Sequence, residues 1–130
     1  MPEDLNKDYI QTLLGIVEED KKAVLLYVVF DLAVVSLTLS EKLLQDKGGH
    51  QPFIALGLGL LLIAAALFFD YFRKMHLATF EIAECLLTLD TARARELPKN
   101  VWKDHKAGYC AAYIIQLLGL ALLIACYVAA

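Results

Sequence analysis

Hydrophobic positions along the chain gather into three long blocks separated by charged stretches. Ala107 to Ala130 holds no charged side chain over 24 residues, and Phe53 to Phe69 holds none over 17. Ala23 to Ser40 is the third block, 18 residues interrupted only by Asp31. A hydrocarbon core of about 30 Å is crossed by about 20 helical residues. Helices buried in a soluble bundle normally keep a polar face, yet the last block offers only Tyr109, Tyr113, Gln116 and Tyr127 as polar-tipped side chains. The pattern predicts an all-α membrane protein with three transmembrane helices, residues 23–40, 53–72 and 107–130.

Between the blocks the pattern changes. Residues 41–52, EKLLQDKGGHQP, form a short outer loop with Gly48, Gly49 and Pro52 as turn formers, so spans one and two are antiparallel neighbours. From Arg73 to Glu96 there is neither Pro nor Gly, and Met75, Ala78, Ile82, Cys85, Leu89 and Ala92 repeat at spacings of three and four, a helical stripe. Span two is therefore expected to continue as one helix until Pro98, with Asn100 as the N-cap of a helix leading through Trp102 into span three. At 1.5 Å per residue residues 53–96 would reach about 66 Å, twice what the bilayer takes. Residues 1–22 supply a charged helix of matching length, with Tyr9, Leu13 and Ile16 as its packing stripe. The two are expected to stand together as a hairpin beyond the membrane, in preference to residues 74–96 lying flat in its interface; Glu81, Glu84, Asp90 and Glu96 make that segment too acidic for anionic lipid.

Charge then orients the chain. Basic residues remain on the cytoplasmic side when loops are short. Lys7, Lys21, Lys22, Arg73, Lys74, Arg93, Arg95, Lys99, Lys103 and Lys106 fall on one side, and Lys42 and Lys47 on the other, ten against two. The expected topology is N-terminus inside and C-terminus outside, multi-pass in the cell inner membrane, with residues 1–22 and 73–106 cytoplasmic. Residues 1–22 lack the apolar stretch of a cleaved leader, so span one is expected to serve as signal and anchor. Trp102 and Tyr109 flank Lys103, His105 and Lys106, as interfacial rings do. An apolar share of 59%, against roughly 45–50% in soluble domains, agrees with this, and a net charge of −3 argues against a nucleic-acid partner.

Chemistry is sparse. Cys85, Cys110 and Cys126 show no metal or disulfide spacing, and His50, His76 and His105 lie in separate segments. No metal or cofactor is expected. Glu81, Glu84, Asp90 and Asp104 lack any HExxH or phosphate-loop context, so enzymatic activity is not expected. Small three-span lipid kinases are similar in size and span count, but FEIAECLLTLD, residues 80–90, does not reproduce the acidic, Asn-bearing motif of that family.

The exception is depth in the membrane. Asp31 lies nine residues above Lys22 and Gln116 ten above Lys106, each about 14 Å into the core. With Tyr27 and Tyr113 one turn below, and the small residues Ala64 to Ala66 at the same level of span two, they form an intramembrane polar layer. A carboxylate in lipid costs roughly 2.5–3.5 kcal/mol, so Asp31 should face protein or water. It could clamp to Gln116 or Tyr113 within one chain, line a pore with Ser36 in a homo-oligomer, or carry a proton in transport. Asp70, one turn from Arg73, reads as an ion pair.

The order LLYVVFDLAVVSLTLS, a very short outer turn, FIALGLGLLLIAAALFF and the charged helix RKMHLATFEIAECLLTLDTARARE resembles the layout of SLATT-type modules, small two-span membrane proteins of bacterial conflict systems. The likeness covers residues 1–97, and span three is additional to it. The resemblance implies an oligomer whose cytoplasmic helices receive a signal and whose spans open the membrane. The leading expectation is accordingly a homo-oligomer in membrane lipid that forms or regulates a pore. The alternatives are a non-conducting adaptor that holds a cytosolic protein through Glu81, Glu84, Arg93 and Arg95, and a small proton-coupled transporter.

Overall fold

Each apolar block continues at its charged end as helix, so that the helices run well beyond the blocks. The computed structural model describes residues 2–40 and 51–129, which form helix α1 (Pro2–Ser40), helix α2 (Gln51–Thr88) and helix α3 (Thr91–Ala129). All three are long and apolar enough to cross a membrane. The expected outer loop lies, apart from Gln51 and Pro52, outside the described residues; Pro52 falls in the first turn of α2, where its missing N–H costs nothing.

With 39, 38 and 39 residues, the helices are each about 57 Å long, against about 30 Å for a hydrocarbon core. They run up, down and up, with α2 packed along both neighbours. The molecule therefore has an apolar end, residues 23–40, 51–72 and 107–129, and a polar end, residues 2–22, 73–88 and 91–106.

Packing follows seams of alternating three and four residues. On α1 the inward positions are Ile10, Leu14, Val17, Lys21, Val24, Val28, Asp31 and Val35, buried throughout save Leu14, which is partly buried. On α2 they include Ile54, Leu58, Leu61, Ala65, Phe68, Met75, Ala78, Ile82 and Cys85. This 3.5-residue period is that of coiled-coil seams. It corrects the expected stripe on α1, because Tyr9 and Ile16 are exposed one position off the seam.

At the polar end Ile10, Val17, Met75, Ile82, Cys85 and Ala94 belong to one apolar cluster that runs on through Val24, Phe68 and Ala64 into the apolar end. Residues 73–88 thus continue α2 in line and pack against α1. Burial also pushes the Cys85 thiol up, only partly offset by the nearby Arg93 guanidinium. Because the thiolate is the nucleophile, N-ethylmaleimide at pH 7 should modify Cys85 far more slowly than in denaturant, with a rate that climbs as pH rises. Mass spectrometry of the modified peptides reads both.

The helix expected to run to Pro98 ends ten residues sooner. Leu89 takes a left-handed backbone (φ 56°), and the Asp90 N–H donates to the Cys85 carbonyl at 3.3 Å, the long closing bond of a helix C-cap. Asp90 then caps α3, its Oδ1 accepting from the Arg93 N–H at 3.1 Å. A leucine in this conformation costs about 1–2 kcal/mol, which the cap and the helix packing on both sides offset. Leu89 and Ala92 therefore leave the stripe, and Ala94 takes the buried position. Pro98 lies inside α3, where it removes one rung of the ladder to Ala94 without ending the helix, and Asn100 is mid-helix, not a cap.

At the apolar end α2 and α3 approach through glycines. A Cβ on Gly119 would meet the Gly57 carbonyl oxygen at 3.1 Å and Leu60 Cβ at 3.2 Å, whereas one on Gly57 would meet chiefly the flexible Leu123 side chain at 2.9 Å. Gly119→Leu should therefore cost about 1–3 kcal/mol through overpacking, and Gly57→Ala less. Resistance to unfolding in a denaturing detergent would rank the two.

Candidate functional site: a buried carboxyl–amide pair

The seam position of Asp31 turns its side chain inward from α1, and that of Gln116 turns the amide inward from α3. Gln116 Nε2 donates to Asp31 Oδ1 at 2.7 Å. Asp31 is 0% exposed and Gln116 5%. The pair separates two apolar clusters, one around Phe68 and Val28, the other around Leu61, Ile54 and Val35. Ala64 and Ala65 are buried beside it, and Ala66 faces outward.

Asp31 Oδ2 is equally buried and has no hydrogen-bond partner among the described residues. The phenols of the expected layer do not supply one. Tyr27 and Tyr113 instead pack edge to face, with centroids 5.5 Å apart, in a cluster around Phe68, which stacks on Tyr27 at 5.2 Å. Geometry thus divides the layer into a hydrogen-bonded pair and an aromatic plug one turn away. Of the two candidate pore-lining residues, Asp31 is buried within its own chain and Ser36 is exposed. A groove of about 520 Å³ between α1 and α3 reaches Gln116 from the side, between Leu26, Phe30 and Leu117, but Asp31 does not line it.

Compared with family models, with curated proteins and with solved structures, the chain finds no match. Its function is therefore read from these side chains alone.

A second polar position on the α1 seam was not visible in the charge pattern. Lys21 is only 4% exposed; its Nζ donates to His76 Nδ1 at 3.0 Å and pairs with Glu18 at 2.8 Å. His76 is held in turn between Phe72 and Phe80, at ring distances of 5.9 and 4.9 Å. The signal that could have found Lys21 is the seven-residue repeat of Leu14, Lys21, Val28 and Val35; a lysine at a membrane boundary reads more readily as exposed.

The four candidate partner-surface residues are all exposed. The structure brings two of them together, Arg93 reaching Glu81 across the α2–α3 hairpin at 4.0 Å. Arg95 points elsewhere, onto a cleft with Asn6 and Tyr9 of α1, and Glu84 on α2 forms no ion pair among the described residues. Asp70 and Arg73 form the expected ion pair at 3.1 Å. No group of His, Cys, Asp and Glu able to hold a metal occurs among the described residues.

Proposed function

We propose that this chain is a non-conducting multi-pass membrane adaptor whose polar end holds a soluble protein on the cytoplasmic side. One observation carries the reading: all three helices continue beyond the length a bilayer needs and share a packed apolar core there. A segment that only anchored the chain would have no reason to build that core. The same end presents Leu77, Phe80 and Leu87 to its surroundings, Leu87 at 88% exposure, next to Glu81 and Glu84. Large apolar side chains rimmed by charge are the usual makeup of a protein contact.

The basic residues, ten against two, support an inside N-terminus and an outside C-terminus in the inner membrane. The pore reading, with the homo-oligomer it needs, loses its carboxylate lining because Asp31 bonds within the chain; it would have to build a lumen between bundles from exposed positions such as Ser36. The transporter reading keeps the lateral groove at Gln116, and it requires a substrate whose binding weakens as Asp31 takes up a proton.

Two experiments separate these. Purified protein reconstituted into dye-loaded vesicles should leave the dye inside, and a photo-crosslinking residue at Leu87 in cells should trap one defined protein. That adduct should disappear with Phe80→Glu and persist when the crosslinker sits elsewhere on the same hairpin. Dye release that tracks the amount of protein, or an empty Leu87 position, would defeat the adaptor reading.

A further inference from the structure

Where the polar and apolar ends meet, three aromatic rings in mutual contact line a small space. Tyr71 of α2 and Trp102 and Tyr109 of α3 have centroids 6.3 Å (Tyr71–Trp102), 4.9 Å (Tyr71–Tyr109) and 5.6 Å (Trp102–Tyr109) apart. Their planes are inclined at 90°, 53° and 66°, and all three rings line one cavity. That cavity is about 250 Å³, and α1 adds Asp20, Ala23 and Val24 to its lining. Each helix contributes to it, and no lysine or arginine lines it.

Asp20 matters because its charge is unspent. It forms no ion pair among the described residues, although Glu18 and Glu19 on the same turn each have a lysine partner. Its neighbour Lys21 is turned away to Glu18 and His76. The cavity is thus lined by three aromatic rings from α2 and α3 and by a carboxylate from α1. A cation within about 6 Å of aromatic centroids is attracted to their faces, and methylated ammonium groups are the ligands such cages take. At about 250 Å³ the space lies below the roughly 300–1,000 Å³ of drug-sized sites, which suits a single head group.

The geometry points to a binding site for an alkylammonium head, held by Tyr71, Trp102 and Tyr109 and neutralised by Asp20. The ammonium arrives either on a membrane lipid or as a free small molecule. The site's level favours both, since Ala23 opens the apolar stretch of α1 and puts the cage at the height where head groups lie. This inference does not depend on the adaptor reading, as it concerns side chains remote from Leu77, Phe80 and Leu87.

Trp102 is the one tryptophan in the chain, so its fluorescence reports directly on the site. Choline chloride titrated into protein in phosphatidylglycerol vesicles should change that emission saturably, while 3,3-dimethylbutan-1-ol, the neutral isostere, and sodium chloride at matched ionic strength should not. Asp20→Asn should weaken the choline response about tenfold, and Asp20→Glu should restore most of it, with circular dichroism unchanged for both. In phosphatidylcholine vesicles, loss of the response to free choline assigns the site to the lipid head, and an undiminished response assigns it to the free ion. A linear choline titration in phosphatidylglycerol, an equal response to the neutral isostere, or no difference on Asp20→Asn would overturn the proposal.

Discussion

Replacing Gln116 with leucine should destabilise the bundle by about 2–3 kcal/mol, and replacing Asp31 with valine in the same chain should recover most of that loss. The bond itself is not the reason. Hydrogen bonds between helices in a membrane average about 0.6 kcal/mol and reach about 1.7, because the separated helices find other partners. What Gln116→Leu leaves behind is a carboxyl group with no exposure and neither oxygen satisfied, since Oδ2 already lacks a partner. Orphaning a buried polar group costs about 1–3 kcal/mol, more when it is charged, whereas replacing both partners by apolar groups can be nearly neutral. Valine suits position 31 because Val28 and Val35 occupy the flanking seam positions. Asp31→Asn alone keeps an amide partner for Gln116 and should stay within about 1 kcal/mol of the parent. Unfolding of all four proteins in mixed micelles gives the order; a double variant less stable than Gln116→Leu would show that the pair contributes attraction rather than an avoided penalty.

Ile82→Ala should cost about 2–5 kcal/mol, the range for large core truncations in water, and Leu61→Ala clearly less. Both side chains are fully buried, and both substitutions leave a similar void. They differ in the surroundings of the unpacked helix. With the polar end placed outside the bilayer as proposed, the alternative to burial around residue 82 is water, so the loss includes transfer at about 0.8 kcal/mol per methylene together with the cavity. Around residue 61 the alternative is lipid, which is as apolar as leucine, and only the packing loss remains. Unfolding of both variants in lipid bicelles provides the comparison. A Leu61 effect as large as that of Ile82 would mean that the two ends of the bundle meet the same solvent.

Sequence reading recovered what repeats or runs. The three spans were visible because charge is absent over whole blocks, and Met75, Ala78, Ile82 and Cys85 were visible because their spacing holds for three turns. Asp31 and Gln116 fell at one depth by counting from Lys22 and Lys106, and the structure joins them by a bond. The turn between α2 and α3 was hidden because it uses neither glycine nor proline: Leu89 takes the left-handed position and Asp90 serves as cap, while Pro98, the conspicuous breaker, lies inside a helix. Lys21 was hidden for a related reason. Its charge marked it as a boundary residue, and only the seam from Ile10 to Val35 shows that it points inward. The Tyr71, Trp102 and Asp20 grouping draws one side chain from each helix, so no local pattern carries it; Trp102 was read as an interfacial ring with no sign of its neighbours.

In the proposed arrangement the polar ends of the three helices stand clear of the membrane as one packed unit. Nitroxide labels at Leu77, Phe80 and Leu87, each placed singly in a Cys-free chain in liposomes, test it directly through their collision rates with oxygen and with a water-soluble nickel chelate. Labels at Val29, Leu62 and Leu117 serve as the lipid-facing reference. The account requires the first three to collide with the chelate more than with oxygen, and the reference labels to do the reverse. Oxygen-dominated relaxation at Leu77, Phe80 and Leu87 would place residues 73–88 against lipid and contradict it.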